Sequence, residues 1–416
     1  MREMKDSGIS WVGEIPKEWT IMPLYCFYSE RKNKNIFGAE NNLLSLSYGK
    51  VIRKDINTSE GLLPSNYNGY NIVEAGDIII RPTDLQNDKR SLRTGLSKER
   101  GIITSAYIAL KPKNGINSRF YHYLLHTYDI LKVFYNMGNG VRQGLNYDEF
   151  AKLMVYSPSD TEQQRIAEFL DRECGKIDGL KADIQAQIDT LEQYKRSVIT
   201  EAVTHGLNPS APMKECSVSW ARQIPQHWKV MPNKYLMTKI KNICPIYKGE
   251  DILSLTMYGV IVRDLDAGGK MPSSFDGYQY IKKDNLLMCL FDIDVTPRCI
   301  GIIKQNGITS PAYSQFKMKE IAKARFYYYY YLMLDYTKEL LHLAKNLRHS
   351  LTEDQLGAIK QLVPPLDEQQ EIADYLDNKC AEIERIIADK KSQIETLDGY
   401  KKSLIYEYVT GKKEVV

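Results

Sequence analysis

The stretch "WVGEIPKEW" at 11 to 19 returns as "WARQIPQHW" at 220 to 228. An internal repeat of this length limits the folds open to the chain more than any local propensity does. The repeat continues: "LLSLSYGKVIRKD" (43 to 55) matches "ILSLTMYGVIVRD" (252 to 264), and "SNYNGYNIVEAGDIII" (65 to 80) matches "SSFDGYQYIKKDNLLM" (273 to 288). "GIITSAY" (101 to 107) matches "GITSPAY" (307 to 313), and "GVRQGLNYDEF" (140 to 150) matches "NLRHSLTEDQL" (346 to 356). The match tightens at "EQQRIAEFLDRECGKID" (162 to 178) against "EQQEIADYLDNKCAEIE" (368 to 384), and "LEQYKRSVITEAVT" (191 to 204) against "LDGYKKSLIYEYVT" (397 to 410). The same motifs in the same order make the chain two copies of one unit of roughly 200 residues, a domain plus an appended element.

Each copy has two parts with different periodicity. Residues 1–157 and 208–364 carry short β-branched and apolar runs punctuated by Gly, Pro and Asn, then a Tyr-rich helical stretch, which predicts a mixed α/β (α+β) globular domain. Residues 158–207 and 365–416 each run for about 40 residues with no Pro and little Gly, and their apolar positions recur at steps of three and four. Ile177, Ile184, Leu191 and Val198 stand seven apart with Leu180 between them; Ile383, Ile387, Ile394, Leu397 and Leu404 carry the second stripe, interrupted by Lys390. This is a coiled-coil pattern. The tandem order predicts two long antiparallel helices between two globular heads, with pseudo-two-fold symmetry; at about 1.5 Å per residue each helix is roughly 60 Å long. The alternative is that each helix folds back on its own head.

Charge separates the parts. Lys and Arg less Asp and Glu give +5 for 1–157 and +7 for 208–364, against −4 for each helical part, so the overall +4 conceals two basic heads on acidic helices. Basic heads suit a polyanion such as DNA, since neutralising phosphates releases counterions; acidic helices suit a protein partner. No apolar run reaches the 18 residues of a membrane span and the first residues lack a signal-peptide core, so a cytoplasmic chain is expected. The seven cysteines are scattered, with no C-x-x-C pair, which argues for reduced thiols rather than disulfides or zinc.

The chain has no phosphate-binding P-loop, no dinucleotide fingerprint, no nucleophile elbow and no Asn/Asp-Pro-Pro-aromatic methyltransferase signature. "RPTDLQNDKR" (81 to 90) loosely resembles a nuclease metal site through Asp84, Asp88 and Lys89, but the acid-x-Lys spacing fails and the second copy reads "CLFDIDVTPR". His122 and His126 have a metal-ligand spacing, yet the second copy puts Tyr328 and Leu332 there, so packing histidines are expected and no metal site is assigned. Tyr327 to Tyr331 circle a helix, so most of these rings belong to the core.

Two basic heads, each opened by Trp-x-x-x-Ile-Pro-x-x-Trp and closed by Glu-Gln-Gln-x-Ile-Ala-x-x-Leu-Asp plus a heptad helix, resemble the specificity subunit of type I restriction-modification systems over essentially the whole chain. The resemblance implies that each head is a target recognition domain for one half of a split DNA sequence, and that the helices space the heads and dock two modification (methyltransferase) subunits. Restriction subunits with motor and nuclease activity would join them. It further implies no catalytic residue in this chain, with S-adenosylmethionine, ATP and Mg2+ held by the partners. An autonomous nuclease or methyltransferase, testable with purified protein, metal and methyl donor, and a protein-binding scaffold, testable by its salt response, are the alternatives.

Base and phosphate contacts are expected from long donors in the heads, because Arg and Lys reach guanine and Asn and Gln reach adenine. In the first head these are Lys50, Arg53, Arg81, Lys89, Arg90, Arg93, Arg142 and Gln143; in the second, Arg263, Lys282, Lys283, Arg298, Lys304, Arg348 and His349. Arg142 and Arg348 sit alike in the repeat, which fits a shared phosphate contact. Trp11, Ile15 and Trp19 are expected to pack each entry segment, with Pro16 fixing its bend.

Overall fold

In the computed structural model, residues 2–57, 66–83, 85, 92–137, 144–266, 272–296, 298–344 and 349–415 are described. They form two compact units, 1–184 with 392–416, and 185–391.

In the first unit, β1 (Met4–Asp6) pairs with β2 (Glu14–Pro16), and β3 (Thr20–Pro23) pairs antiparallel with a strand at the end of the head. β4 (Tyr28–Glu30) follows, then the hairpin β5 (Leu44–Ser47) and β6 (Lys50–Arg53), then β7 (Asn71–Val73), β8 (Ile78–Ile80), β9 (Thr94–Leu96), β10 (Gly101–Ile103) and β11 (Ile108–Pro112). The central antiparallel sheet has the order β4-β11-β8-β9, with β7 paired to β10 beside it. β8 is three buried isoleucines, β-branched side chains suited to a strand covered on both faces. Helix α1 (Ser118–Ile130) starts where the Asn117 side chain accepts from the amides of Arg119 and Phe120. It buries Phe120, Tyr121, Leu124, Leu125 and Tyr128 in the core, an i, i+4 stripe. The one-turn helix α2 (Tyr147–Phe150), closed by an Asn146–Glu149 capping box, leads to β12 (Met154–Ser157) and then to α3 (Asp160–His205).

The second unit repeats this plan. β13 (Met213–Val218) pairs with β14 (Ala221–Pro225), and β15 (Lys229–Pro232) with β24 (Lys360–Val363). Between them come β16 (Met237–Ile240), the hairpin β17 (Leu253–Thr256) and β18 (Gly259–Val262), β19 (Gln279–Ile281), β20 (Leu286–Met288), β21 (Ile300–Ile302), β22 (Gly307–Thr309) and β23 (Ser314–Met318). The sheet order is β16-β23-β20-β21, with β19 on β22. Helix α4 (Ala324–Tyr336) and the short α5 (Glu353–Ala358) precede α6 (Leu366–Val409). All five consecutive tyrosines of α4 have internal partners. Tyr327 donates to Leu362 O at 3.0 Å, Tyr329 to Asp377 at 2.7 Å, Tyr330 accepts from Trp220 at 2.7 Å, Tyr331 accepts from Gln361 at 3.3 Å, and Tyr328 accepts from Arg298.

The long helices pair antiparallel inside each unit. In the first, Lys401 donates to Asp178 at 2.6 Å and Lys181 to Asp398, so one number rises as the other falls. In the second, Lys195 pairs with Glu384 and Lys390 donates to Gln187. The lysine that breaks the heptad is therefore a cross-helix donor. Ile177, Ile383, Ile387 and Leu404 are buried and Ile184, Leu191, Val198, Ile394 and Leu397 half-buried. Leu180 corrects the expected stripe: it is 53% exposed, because the partner helix does not cover its side of the turn. Ile188, Ile199, Val203, Ile405 and Val409 are buried contributors outside the predicted stripe. The first turns of α3, through Ile166, Leu170 and Cys174, also enter the core of the first head, so a helix partly folds onto its own head as well as pairing. All seven cysteines are free thiols, and no described helix is long and apolar enough to cross a membrane.

Candidate nucleic-acid interface

The two sequence signatures meet in space. Trp19 is fully buried and its indole N–H donates to Glu162 at 3.0 Å; Trp228 does the same to Glu368 at 2.9 Å. The second Trp of each entry motif is thus bound by the Glu of the following Glu-Gln-Gln. Arg2 adds a two-point contact to Glu162, and His227 lies 2.8 Å from Glu368. The next residue closes the helix start: Gln163 donates to Pro158 O at 3.0 Å and Gln369 to Pro364 O at 2.9 Å. Pro16 and Trp19 also receive the segment after α6, where a Cβ on Gly411 would meet Pro16 Cγ at 2.4 Å and the Trp19 ring at 3.0 Å. Only glycine fits that approach, at φ +69. Trp11 is half-buried edge-on to Tyr128, and Ile15 and Pro16 are buried.

A second repeated contact fixes each head on its helix. Arg119 and Tyr123 of α1 both reach Asp171, at 2.9 and 2.8 Å. Arg325 reaches Asp374 at 2.7 Å and also pairs with Asp377, which accepts from Tyr329. A carboxylate shared between a guanidinium and a phenol resists rotation better than a lone surface ion pair.

The sequence-predicted contacts separate on this scaffold. Lys50 lies exposed on β6; Arg53, also exposed, binds Glu99. Lys282, Lys283 and Lys304 are exposed and brought together, because Lys283 N–H donates to the Asn306 side chain at 2.9 Å and Asp284 N–H to Ile303 O at 2.9 Å. At the matching turn the first head carries Glu74, paired with Arg100, so the two heads differ in charge there. Arg81 and Arg263 are half-buried, and His349 sits 3.2 Å from Asp294 at φ 42. Lys89, Arg90, Arg142, Gln143 and Arg348 lie outside the described residues, as do Asp84 and Asp88.

Two assignments are corrected. Arg93 is fully buried; its guanidinium donates to Tyr135 at 3.0 Å and to Thr83 O, so it shapes the loop and cannot reach a base from there. Arg298 donates to Met257 O at 2.8 Å, to Ile300 O at 3.2 Å and to Tyr328, over whose ring it lies. Each of its three nitrogens makes a bond inside the head, and the one to Met257 O braces the tip of the β17–β18 hairpin.

His122 and His126 are packing residues. Their half-buried rings lie 6.0 Å apart, and desolvation lowers their pKa to about 3 and about 4, with the His126 charge, Lys98, Lys401 and Lys402 acting in the same direction. Sequence reasoning missed the hairpin tips. Tyr48 is 88% exposed and Tyr258 83%, with Ile52, Met257, Ile261 and Val262 also exposed nearby. The signal was available: in both copies a Tyr-Gly pair interrupts alternating apolar runs.

The family model for the type I restriction modification DNA specificity domain matches residues 30–190 and 300–396. The chain is 22% identical over 433 aligned positions to a curated relative from Methanocaldococcus jannaschii named for the MjaX type I restriction enzyme specificity subunit, covering 97% of this chain and 96% of that one. A chain from a structure describing complex assembly and conformational transition of the type I R-M system superposes with a TM-score of 0.68 at 12% identity, covering 96% and 99% of the two chains. The HsdS subunit from Thermoanaerobacter tengcongensis gives a TM-score of 0.46 at 11% identity, covering 96% and 98%.

Proposed function

The chain belongs to the type I restriction-modification DNA specificity family, and we propose that its two heads each read one half of a bipartite, asymmetric target in double-stranded DNA. The observation that carries this is the duplication of a complete head, same strand order and same Trp–Glu lock, with different exposed chemistry on each copy. Identical heads would select two identical half-sites; Lys282 and Lys283 where the first head has Glu74 and Ala75 would not. The shared scaffold positions, and the diverged loops specify.

The acidic helices are the docking surface for modification subunits, with restriction subunits completing the complex. The family is non-catalytic, and the methyl transfer, with its S-adenosylmethionine, and the ATP- and Mg2+-dependent work belong to those partners in this reading. The domain limits that follow are 1–157 and 208–364 for the recognition heads and 158–207 and 365–416 for the helices.

Binding to duplex DNA tests the reading. The affinity of the chain with its modification partner should fall by at least about tenfold between roughly 50 and 200 mM salt, as release of several counterions requires. A salt-independent affinity would point to protein ligands for the heads. Exchanging residues 1–157 for another head should change one half of the selected sequence and leave the other; a change in both halves would contradict modular reading.

A further inference from the structure

One hairpin in each head has an outer face that the core does not use. In the first, Leu44 lies opposite Arg53, Ser45 opposite Ile52, Leu46 opposite Val51 and Ser47 opposite Lys50. Side chains alternate across a strand. Leu44 and Val51 join an apolar cluster on the inner side, leaving Ser45, Ser47, Lys50 and Ile52 on the outer side. In the second hairpin Leu253, Leu255 and Val260 pack inward, and Ser254, Thr256 and Ile261 face out.

The inner sides are fixed by close approaches. A Cβ on Gly95 would meet Leu46 Cδ1 at 2.5 Å, and one on Gly301 would meet Val260 Cγ2 at 2.6 Å and Leu255 Cδ1 at 2.8 Å. Glycine at both positions lets the hairpin lie directly on the edge strand of the sheet, so its outer face has one permanent orientation within its head.

The chemistry of that face is unusual for a solvated one, which ordinarily carries several charges. Here, beside the single Lys50 in the first head, it offers hydroxyls, an exposed isoleucine and a tyrosine at the tip. The hydroxyls of Ser45, Ser47 and Ser254 have no hydrogen-bond partner among the described residues. Tyr48 occupies the left-handed region at φ 45, a position where Asn or Gly would be unstrained. In the second head Arg298 holds the tip through Met257 O.

We propose that the outer faces of the β5–β6 and β17–β18 hairpins are the base-reading surfaces, each entering the major groove of one half-site. That groove admits a two-stranded ribbon, whose hydroxyls bond base edges and whose isoleucine and tyrosine contact thymine methyl groups. Charge complementarity selects DNA as the occupant: Lys50 lies on the first face and the exposed Lys54 follows β6, and the heads carry +5 and +7. The two faces differ at Ser47 against Thr256, Lys50 against Gly259, and a Tyr-Gly against a Met-Tyr tip, which suits them to different half-sites. This rests on the DNA-reading function proposed above.

The test is selection from short random-sequence duplexes by the full chain assembled with its modification partner. The wild type is expected to select a two-part motif. Tyr48→Ala, and separately Ser45→Ala with Ser47→Ala, should relax discrimination in one part by about tenfold, with the other part and the binding of unrelated duplex unchanged. Ser254→Ala with Ile261→Ser should do the reverse. These side chains lie off the core, and the untouched half of the motif reports folding in the same molecule. Variants that select the wild-type motif unaltered, or weaken both parts equally, overturn the hairpin assignment alone. A wild type that selects no motif overturns the DNA reading and the assignment with it.

Discussion

Single residues decide which of the charged and polar groups are available to a ligand. Arg93 shows why this was not legible: an arginine turned inward onto Thr83 O and Tyr135 has the same one-letter signature as an exposed one. The Trp pair was legible as packing, because indoles bury large area, but its acceptor, some 140 residues away in each copy, was not. Replacing Glu162 by Ala leaves the buried Trp19 N–H unpaired and Arg2 with Glu18 alone, and should cost about 1–3 kcal/mol in denaturant unfolding, while Glu162→Gln should recover part of the loss. His122 and His126 are held neutral in the fold, with pKa values of about 3 and about 4 against 6.5. The unfolded chain therefore binds more protons below that value, and stability should fall as pH drops from about 6.5. Exchanging them for Tyr and Leu, the second copy's residues, should flatten the loss of thermal midpoint between about pH 7.5 and 5; an unchanged slope would place the acid sensitivity elsewhere.

At the scale of elements, the heptad stripes announced two paired helices because the coiled-coil period has few other uses. Their register was not announced, since it depends on which turn the partner covers. Ile177 and Leu180 separate the cases: Ile177→Ala should destabilise by about 2–4 kcal/mol and Leu180→Ala by less than about 0.5, read by urea unfolding of the whole chain. Equal losses would mean that the stripe runs as the sequence alone suggested. The strands were visible as short apolar runs, yet their sheet order was not, because β11 joins β4 and β8 across long sequence separations. Tyr327 to Tyr331 were expected mostly in the core; Tyr328, the half-buried one, is engaged by Arg298.

For the whole molecule, duplication explains why the signatures occur twice: each head needs its own lock between entry strand and helix, and each lock is built from the same Trp and Glu. The DNA-reading function was legible through the family resemblance. The reading surface was not, because base contacts diverge between copies while scaffold contacts repeat. The central claim, that this chain dictates a split DNA target, is met most directly by mapping methylated bases across the genome of cells carrying the chain with its modification partner, against cells lacking only the chain. The account predicts loss of one asymmetric motif in two parts separated by an unspecified spacer. Persistence of every methylated motif without the chain, in cells whose modification partner is active, would contradict it.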